Sequence, residues 1–269
     1  MDIKIYENYA IVHNAIFLIK QNTLVIADLH LAFDESLRNQ GVMMPLTHTK
    51  QELSNLNLIL ESLKEYDIKN IVFNGDIKHE FGAVLRTEDR SFKQLLELSK
   101  KYNLYFVKGN HDKIVDAYLS RINPYENVFT TDMLVIDDYA ILHGDSDLDD
   151  FFEKQKDMMV IKNNTLIKEN LKKSDFNDLI FIIGHEHPVI VLQDNHRSEK
   201  YKALLISDKV IVLPSFNPAI LGVEINAEYH DNQYLSPLLN DILPDDFELF
   251  LFSDDIESKV FYFGKLSEL

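Results

Sequence analysis

Short apolar runs, separated by longer amphipathic stretches, set the rhythm of the first two-thirds of the chain. Residues 24–27 (LVIA), 71–74 (IVFN), 104–107 (LYFV), 140–143 (AILH) and 179–184 (LIFIIG) are nearly continuous in hydrophobicity. Runs this short and this apolar predict strands buried on both faces. Residues 48–65 and 88–101 predict helices: Leu53, Leu56, Leu60 and Leu63 recur at helical spacing in the first, and Phe92, Leu95, Leu96 and Leu98 do much the same in the second. Such alternation predicts an α/β sheet with helices on its faces. The ends differ: residues 3–19 and 188–213 read as consecutive strands joined by polar turns, and 247–264 (FELFLFSDDIESKVFYFG) as a terminal hairpin. Residues 146–178 are polar, charged and mostly helix-compatible, and read as an excursion between two strands. No repeat or linker interrupts the chain, so the expectation is a single domain over 1–269, with its motifs in 24–188 and residues 189–269 part of the same unit.

Composition narrows the chemistry. There is no cysteine, which excludes disulfides and thiolate metal sites, fits a reducing cytoplasm, and leaves His, Asp, Glu or Asn to hold any metal. No apolar run reaches the roughly 18 residues of a membrane span. Charges and Asn interrupt the N-terminal stretch, so it lacks a signal-peptide core. The expectation is a soluble cytoplasmic protein with no membrane partner. A net charge of -17 argues against a broadly basic nucleic-acid surface. Residues 210–258 hold ten acidic residues and no Lys or Arg, which predicts a solvated acidic surface.

Polar residues collect where the predicted strands end. LVIA is followed by Asp28-Leu29-His30, IVFN by Gly75-Asp76, and LYFVK by Gly109-Asn110-His111-Asp112. AIL leads to His143-Gly144-Asp145, and IFII to Gly184-His185-Glu186-His187. Sites in open α/β sheets form beyond the carboxyl ends of strands, so these loops can share one crevice. Carboxylate, imidazole and amide oxygen suit divalent ions of the Mn, Fe or Zn type. Each motif alone is an ordinary turn or a lone histidine. Together they place five of the ten histidines just past apolar runs.

The ordered set DLH, GD, GNHD, H and GHEH resembles the calcineurin-like metallophosphoesterase superfamily over about residues 24–188. The resemblance implies a β-sandwich flanked by helices, a four-layer α/β/β/α fold with antiparallel additions at both ends. It further implies a dinuclear site hydrolysing phosphate diesters by attack of a metal-bound hydroxide. Carried over, Asp28, His30, Asp76 and His187 would hold the first metal, and a bridging Asp76 with Asn110, His143 and His185 the second. His111 would be the catalytic histidine and Asp112 its orienting partner. Mn is the first expectation for the metal, with Fe, Zn or Ni as alternatives. The stretches IADLHLAFDESLRNQG, NGDIKHEFG and VLPSFNPAILG look like the archaeal phosphoesterases related to SbcD and Mre11. They also resemble the bacterial phosphoesterase associated with DNA ligase and a helicase.

Other polar residues near the motifs could serve substrate. His79 could support a ligand or contact substrate, and Arg38, Arg86 and Arg90 could grip a phosphate as forks. The Phe216-Asn217-Pro218 corner reads as a packed turn. Three functions follow: a nuclease or phosphodiesterase of DNA repair acting on DNA or RNA, with a helicase or other partner delivering substrate; a phosphatase or hydrolase of small nucleotides or metabolites; or a non-catalytic interaction module on the same fold. No motif residue is missing, which favours the enzymes.

Overall fold

A strand buried on both faces must find two apolar partners, and the chain supplies them as two stacked sheets with helices outside. The structure, a computed structural model, describes residues 2–43, 45–167, 169, 171–193, 197–228, 234–242, 244, 246–252 and 259–269. In the first sheet, β1 (Ile3–Ile5), β2 (Tyr9–Val12), β3 (Ala15–Leu18) and β4 (Thr23–Ala27) form an antiparallel meander. From β4 the pairing turns parallel, through β5 (Asn70–Asn74), β6 (Asn103–Val107) and β7 (Val128–Thr131). Helices α1 (Phe33–Asn39) and α2 (His48–Ser62), then α3 (Arg86–Leu96), then α4 (Val115–Ile122), occupy the successive crossovers.

The second sheet begins with the antiparallel pair β8 (Met133–Ile136) and β9 (Tyr139–Leu142). After α5 (Leu148–Glu153) come β10 (Met158–Lys162), β11 (Thr165–Ile167) and β12 (Ile180–Ile183), then β13 (Val189–Gln193), β14 (Ser198–Ile206) and β15 (Val210–Val212). Helices α6 (Ile225–Glu228) and α7 (Pro237–Ile242) precede the antiparallel pair β16 (Glu248–Phe252) and β17 (Val260–Lys265). Among the described residues the sheet order is β11-β10-β8-β9-β12-β15-β14-β16-β17, with β13 on β14.

Alternation along each strand assigns its side chains to layers. In β4, Leu24 and Ile26 pack with Leu56 and Ile59 of α2 and Phe92 of α3, while Val25 and Ala27 face the second sheet. Val72 and Tyr105 likewise meet Ile141, Ile182 and Leu204 between the sheets. Phe181 and Ile183 of β12 turn outward to Phe151, Leu238 and Leu239 on α5 and α7. The layers are helices, sheet, sheet, helices, as expected.

One expectation fails. Residues 146–178 are not mainly helical: α5 is short, and β10 pairs in parallel with β8 to extend the second sheet. The run Met158-Met159-Val160-Ile161 explains it, since burying Val160 on one face and Ile161 on the other needs a strand. The turn of the terminal hairpin, residues 253–258, lies outside the described residues, as do Asp231 and Asp245 of the acidic stretch. Glu224 of that stretch is paired with Lys200. No helix among the described residues is long and apolar enough to cross a membrane.

Candidate metal centre

All five motif loops leave the carboxyl ends of parallel-paired strands, β4, β5 and β6 in one sheet and β9 and β12 in the other. Asn74 ties the sheets together at this end, its amide donating to the carbonyls of Leu142 (3.0 Å) and Ile182 (3.3 Å). The chain turns sharply after each strand. Asp28, His30, Asp76, His185 and His187 all sit at φ between 40° and 61°, where Asp and His are among the tolerated side chains but carry strain. Gly75 and Gly184 are required for close approach: a Cβ on Gly75 would overlap the His143 ring, and one on Gly184 would overlap the Asp28 carboxylate.

Donor atoms gather in two sets. In the first, His187 Nε2 lies 3.3 Å from Asp28 Oδ1, and His30 Nε2 lies 3.7 Å from Asp76 Oδ2. Asp28, His30 and His187 each offer an atom within 4.8 Å of the others. In the second, His143 Nε2 lies 3.5 Å from Asp76 Oδ1, 3.1 Å from Asn110 Oδ1 and 3.1 Å from His185 Nδ1. Asp76 thus turns one oxygen to each set. Backbone amides lock the carboxylates: His185 N–H donates to Asp28 Oδ2 at 3.1 Å, and His111 N–H to Asp76 Oδ1 at 3.0 Å.

These residues fit divalent cations. Among the described residues, Asp28 Oδ1, His30 Nε2, His143 Nδ1 and His187 Nε2 are buried with no hydrogen-bond partner. An unsatisfied buried polar atom costs about 1–3 kcal/mol, so four at one place point to a ligand that satisfies them. Electrostatics agree. Burial favours neutral Asp76, but His143 above all, then His30 and His111, hold its carboxyl well below the usual range. Burial would lower His143, yet Asp76 and Asp28 push it up to about 9, while burial and the neighbouring His143 bring His185 down to about 4. A proton on His143 therefore offsets the carboxylates until cations do.

The remaining predicted residues divide. His79 joins the cluster, with Nδ1 3.5 Å from His30 Nδ1 and its ring 5.8 Å from that of His111. Arg38, Arg86 and Arg90 are exposed on α1 and α3, with no hydrogen bond or ion pair to the cluster among the described residues. Asp112 does not orient the His111 ring, which corrects the expectation. Its fully buried carboxyl accepts from the amides of Gly109 (2.9 Å), Ile77 (3.1 Å) and Lys78 (3.2 Å), and so joins the GNHD turn to the Gly-Asp loop. Burial and the nearby Asp76 push it up to about 7 despite those amides. The His111 ring is oriented instead by the His79 carbonyl, to which Nδ1 donates. A carbonyl only accepts, so Nε2 is left free for chemistry.

Several supports were not read as such from the sequence. Ser215 Oγ donates to the Asp28 carbonyl at 2.9 Å, and the Asn217 amide to the carbonyls of Leu29 (3.2 Å) and His30 (3.3 Å). Lys202, almost wholly buried, donates to the Ser215 carbonyl at 2.8 Å. The packed corner at 215–218 is therefore a bracket for the Asp-Leu-His loop. Glu186, between the two histidines, accepts from the amides of Leu235 (3.1 Å) and Ser236 (2.8 Å) and anchors its own loop. The segments PSFNP and GHEH were visible in sequence; the contacts of the first, some 187 positions away, and of Glu186 in the second, 49 and 50 positions away, were not.

Comparison with known proteins agrees with the geometry. A search of curated protein sequences found no match. Among solved structures the chain is similar to the Pseudomonas putida nuclease MPE, with 18% identity over 93% of this chain and 96% of that one, at a TM-score of 0.56. A Vps29 double mutant from Entamoeba histolytica matches at 12% identity over 90% of this chain and 99% of that one, with a TM-score of only 0.31. The family model described as calcineurin-like phosphoesterase matches residues 22–220, a span that contains all five motif loops and the 215–218 bracket. The chain belongs to the calcineurin-like phosphoesterase family and is a metal-dependent hydrolase.

Proposed function

We propose that the protein is a two-metal phosphodiesterase, with Asp28, His30, Asp76 and His187 holding one cation and Asp76, Asn110, His143 and His185 the other. The observation that carries this reading is Asp76, whose two oxygens face different histidines, His30 at 3.7 Å and His143 at 3.5 Å. The cations, when bound, supply Lewis acidity to the phosphoryl oxygens and bring a water's pKa near neutrality. His111 stands at the edge of the first set, its Nε2 3.7 Å from Asp76 Oδ2. Its Nε2 would serve a phosphoryl or leaving oxygen, with Nδ1 held by the His79 carbonyl. Asp112 keeps the loop carrying Asn110 and His111 in register with Asp76.

The substrate we propose is a diester of nucleic acid or a nucleotide-like molecule, and Mn is the metal we carry forward from the family resemblance. Three lines support the substrate class. The motifs resemble the archaeal SbcD/Mre11-related and ligase-associated phosphoesterases, which also suggests a cytoplasmic repair role with a helicase as partner. The P. putida protein of similar fold is a nuclease. A chain of net charge -17 repels a dianionic monoester more than a monoanionic diester. The alternative, a hydrolase of small nucleotides or metabolites, is favoured by the exposed arginines, which make no hydrogen bond or ion pair with the cluster among the described residues. We read residues 1–269 as one functional domain.

The test pairs metal analysis with a substrate panel. Saturating Mn²⁺ should load close to two ions per chain. A generic phosphodiester and single- or double-stranded DNA should be cleaved faster than a generic monoester. A monoester preference of tenfold or more with no nucleic-acid cleavage would favour the small-molecule reading.

A further inference from the structure

One aromatic ring on the rim of the cluster has no role in holding metal. Phe81 is 53% exposed, yet its ring lies almost parallel to that of His111, with centroids 3.8 Å apart and 27° between the planes. Large apolar groups at a cleft mouth lose hydrophobic stabilisation unless something covers them. The backbone before the ring is pinned. The buried Lys78 ammonium donates to the Glu80 carbonyl, Ser36 donates to the Glu80 carboxylate, and His111 donates to the His79 carbonyl. Lys78 is itself paired with buried Glu88 at 3.5 Å. Phe81 is thus presented by an anchored turn, one face on His111 and the rest toward solvent.

The proposed cations would grip the phosphate but not the group it carries, and a neutral base needs a contact that is not an ion pair. The protein carries -17, and among the described residues Arg38, Arg86 and Arg90 are exposed and make no hydrogen bond or ion pair with the cluster. Stacking on an aromatic ring needs no net charge, tolerates any base, and is worth about 5- to 150-fold in affinity per base. We propose that Phe81 is a base-stacking specificity residue: the nucleobase next to the scissile phosphate lies on its outer face, so the site selects nucleotide diesters over diesters lacking a planar group. This rests on the phosphodiesterase reading above.

Calorimetric titration of Mn²⁺-loaded protein with thymidine 5′- and 3′-monophosphate, each against methyl phosphate, isolates the base. Wild type should bind one nucleotide at least 5-fold tighter than methyl phosphate. Phe81→Leu should bring that ratio to within about two-fold of one, and Phe81→Trp should restore it. A wild-type ratio near one, or a ratio that Phe81→Leu leaves intact, overturns the proposal. Hydrolysis of thymidine p-nitrophenyl phosphate against methyl p-nitrophenyl phosphate adds the kinetic arm. An equal loss of kcat/KM on both in Phe81→Leu would mean that the ring only orients His111, which also overturns it. If neither ester is cleaved while the binding ratio behaves as expected, the base site stands and the phosphodiesterase reading fails.

Discussion

At the residue scale, Asp76 and His111 are neighbours with different predicted duties, and substitution should separate them. Asp76→Asn removes one of two bridging oxygens and the charge that both donor sets share. Bound metal should fall from near two ions toward none, and activity should fall more than about 100-fold. His111→Ala should keep both ions and still lose about 100-fold or more, the scale of a general acid–base contribution. Metal analysis beside kinetics decides this; loss of metal from His111→Ala would make His111 a ligand. His143 adds a pH signature. Its imidazole is held near 9 by Asp76 and Asp28 after burial is overcome, so at pH 7 it carries a proton that a cation must displace. Metal affinity should therefore rise with pH between 7 and about 9. Titrations in buffers of different ionisation enthalpy should report proton release at pH 7, and no release would mean that His143 is already neutral there.

At the element scale, α2 does more than cover the sheet. Glu52 points inward, 1% exposed, with neither carboxylate oxygen hydrogen-bonded. Burial first and Asp34 second push its pKa well above the ordinary 4.5, against the pull of Lys202. The folded chain therefore keeps a proton that the unfolded chain releases above 4.5, and this group's contribution to stability falls as pH rises past that value. Glu52→Gln escapes the penalty, so its melting temperature relative to wild type should improve from pH 5 to pH 8. A variant destabilised at both pH values would show that Glu52 is ionised and paired with Lys202. Helix α2 itself was legible from its leucines, and β4 to β6 from continuous apolar runs, because burial on one face or two leaves a period in sequence. The pair β10–β11 was not legible: polar residues on both sides hide a run of four apolar positions.

At the scale of the whole molecule, charge sets how nucleic acid can be approached. With net charge -17 and three exposed arginines that make no ion pair or hydrogen bond with the cluster among the described residues, any polynucleotide should be held by the cleft alone. Log affinity should then fall gently with log salt, with a slope near -0.9 for each of only a few phosphates. Filter-binding or anisotropy on catalytically inactive His111→Ala protein from 50 to 200 mM salt measures it. A slope reflecting six or more phosphates would mean that a basic track outside the cleft takes part.

The motifs alone determined which side chains could meet, because Asp, Asn and His immediately after buried strands have few structural reasons to recur together. Order and spacing carried the family resemblance, which implied the four layers, and the apolar runs predicted the buried strands and the helices between them. Only the tertiary structure decided which atoms face one another. The division of Asp76 between its histidines depends on two stacked sheets that Asn74 ties together at their carboxyl ends. Asp112 reaches backbone amides rather than the ring beside it in sequence, since the amides of the adjoining loop open toward its buried side. The bracket from Ser215 and Asn217 to the Asp-Leu-His loop spans most of the chain, and no local pattern encodes a contact at that separation. The stack of Phe81 on His111 depends on how two loops from different strands pass each other, and that is fixed by packing rather than by either loop's own residues.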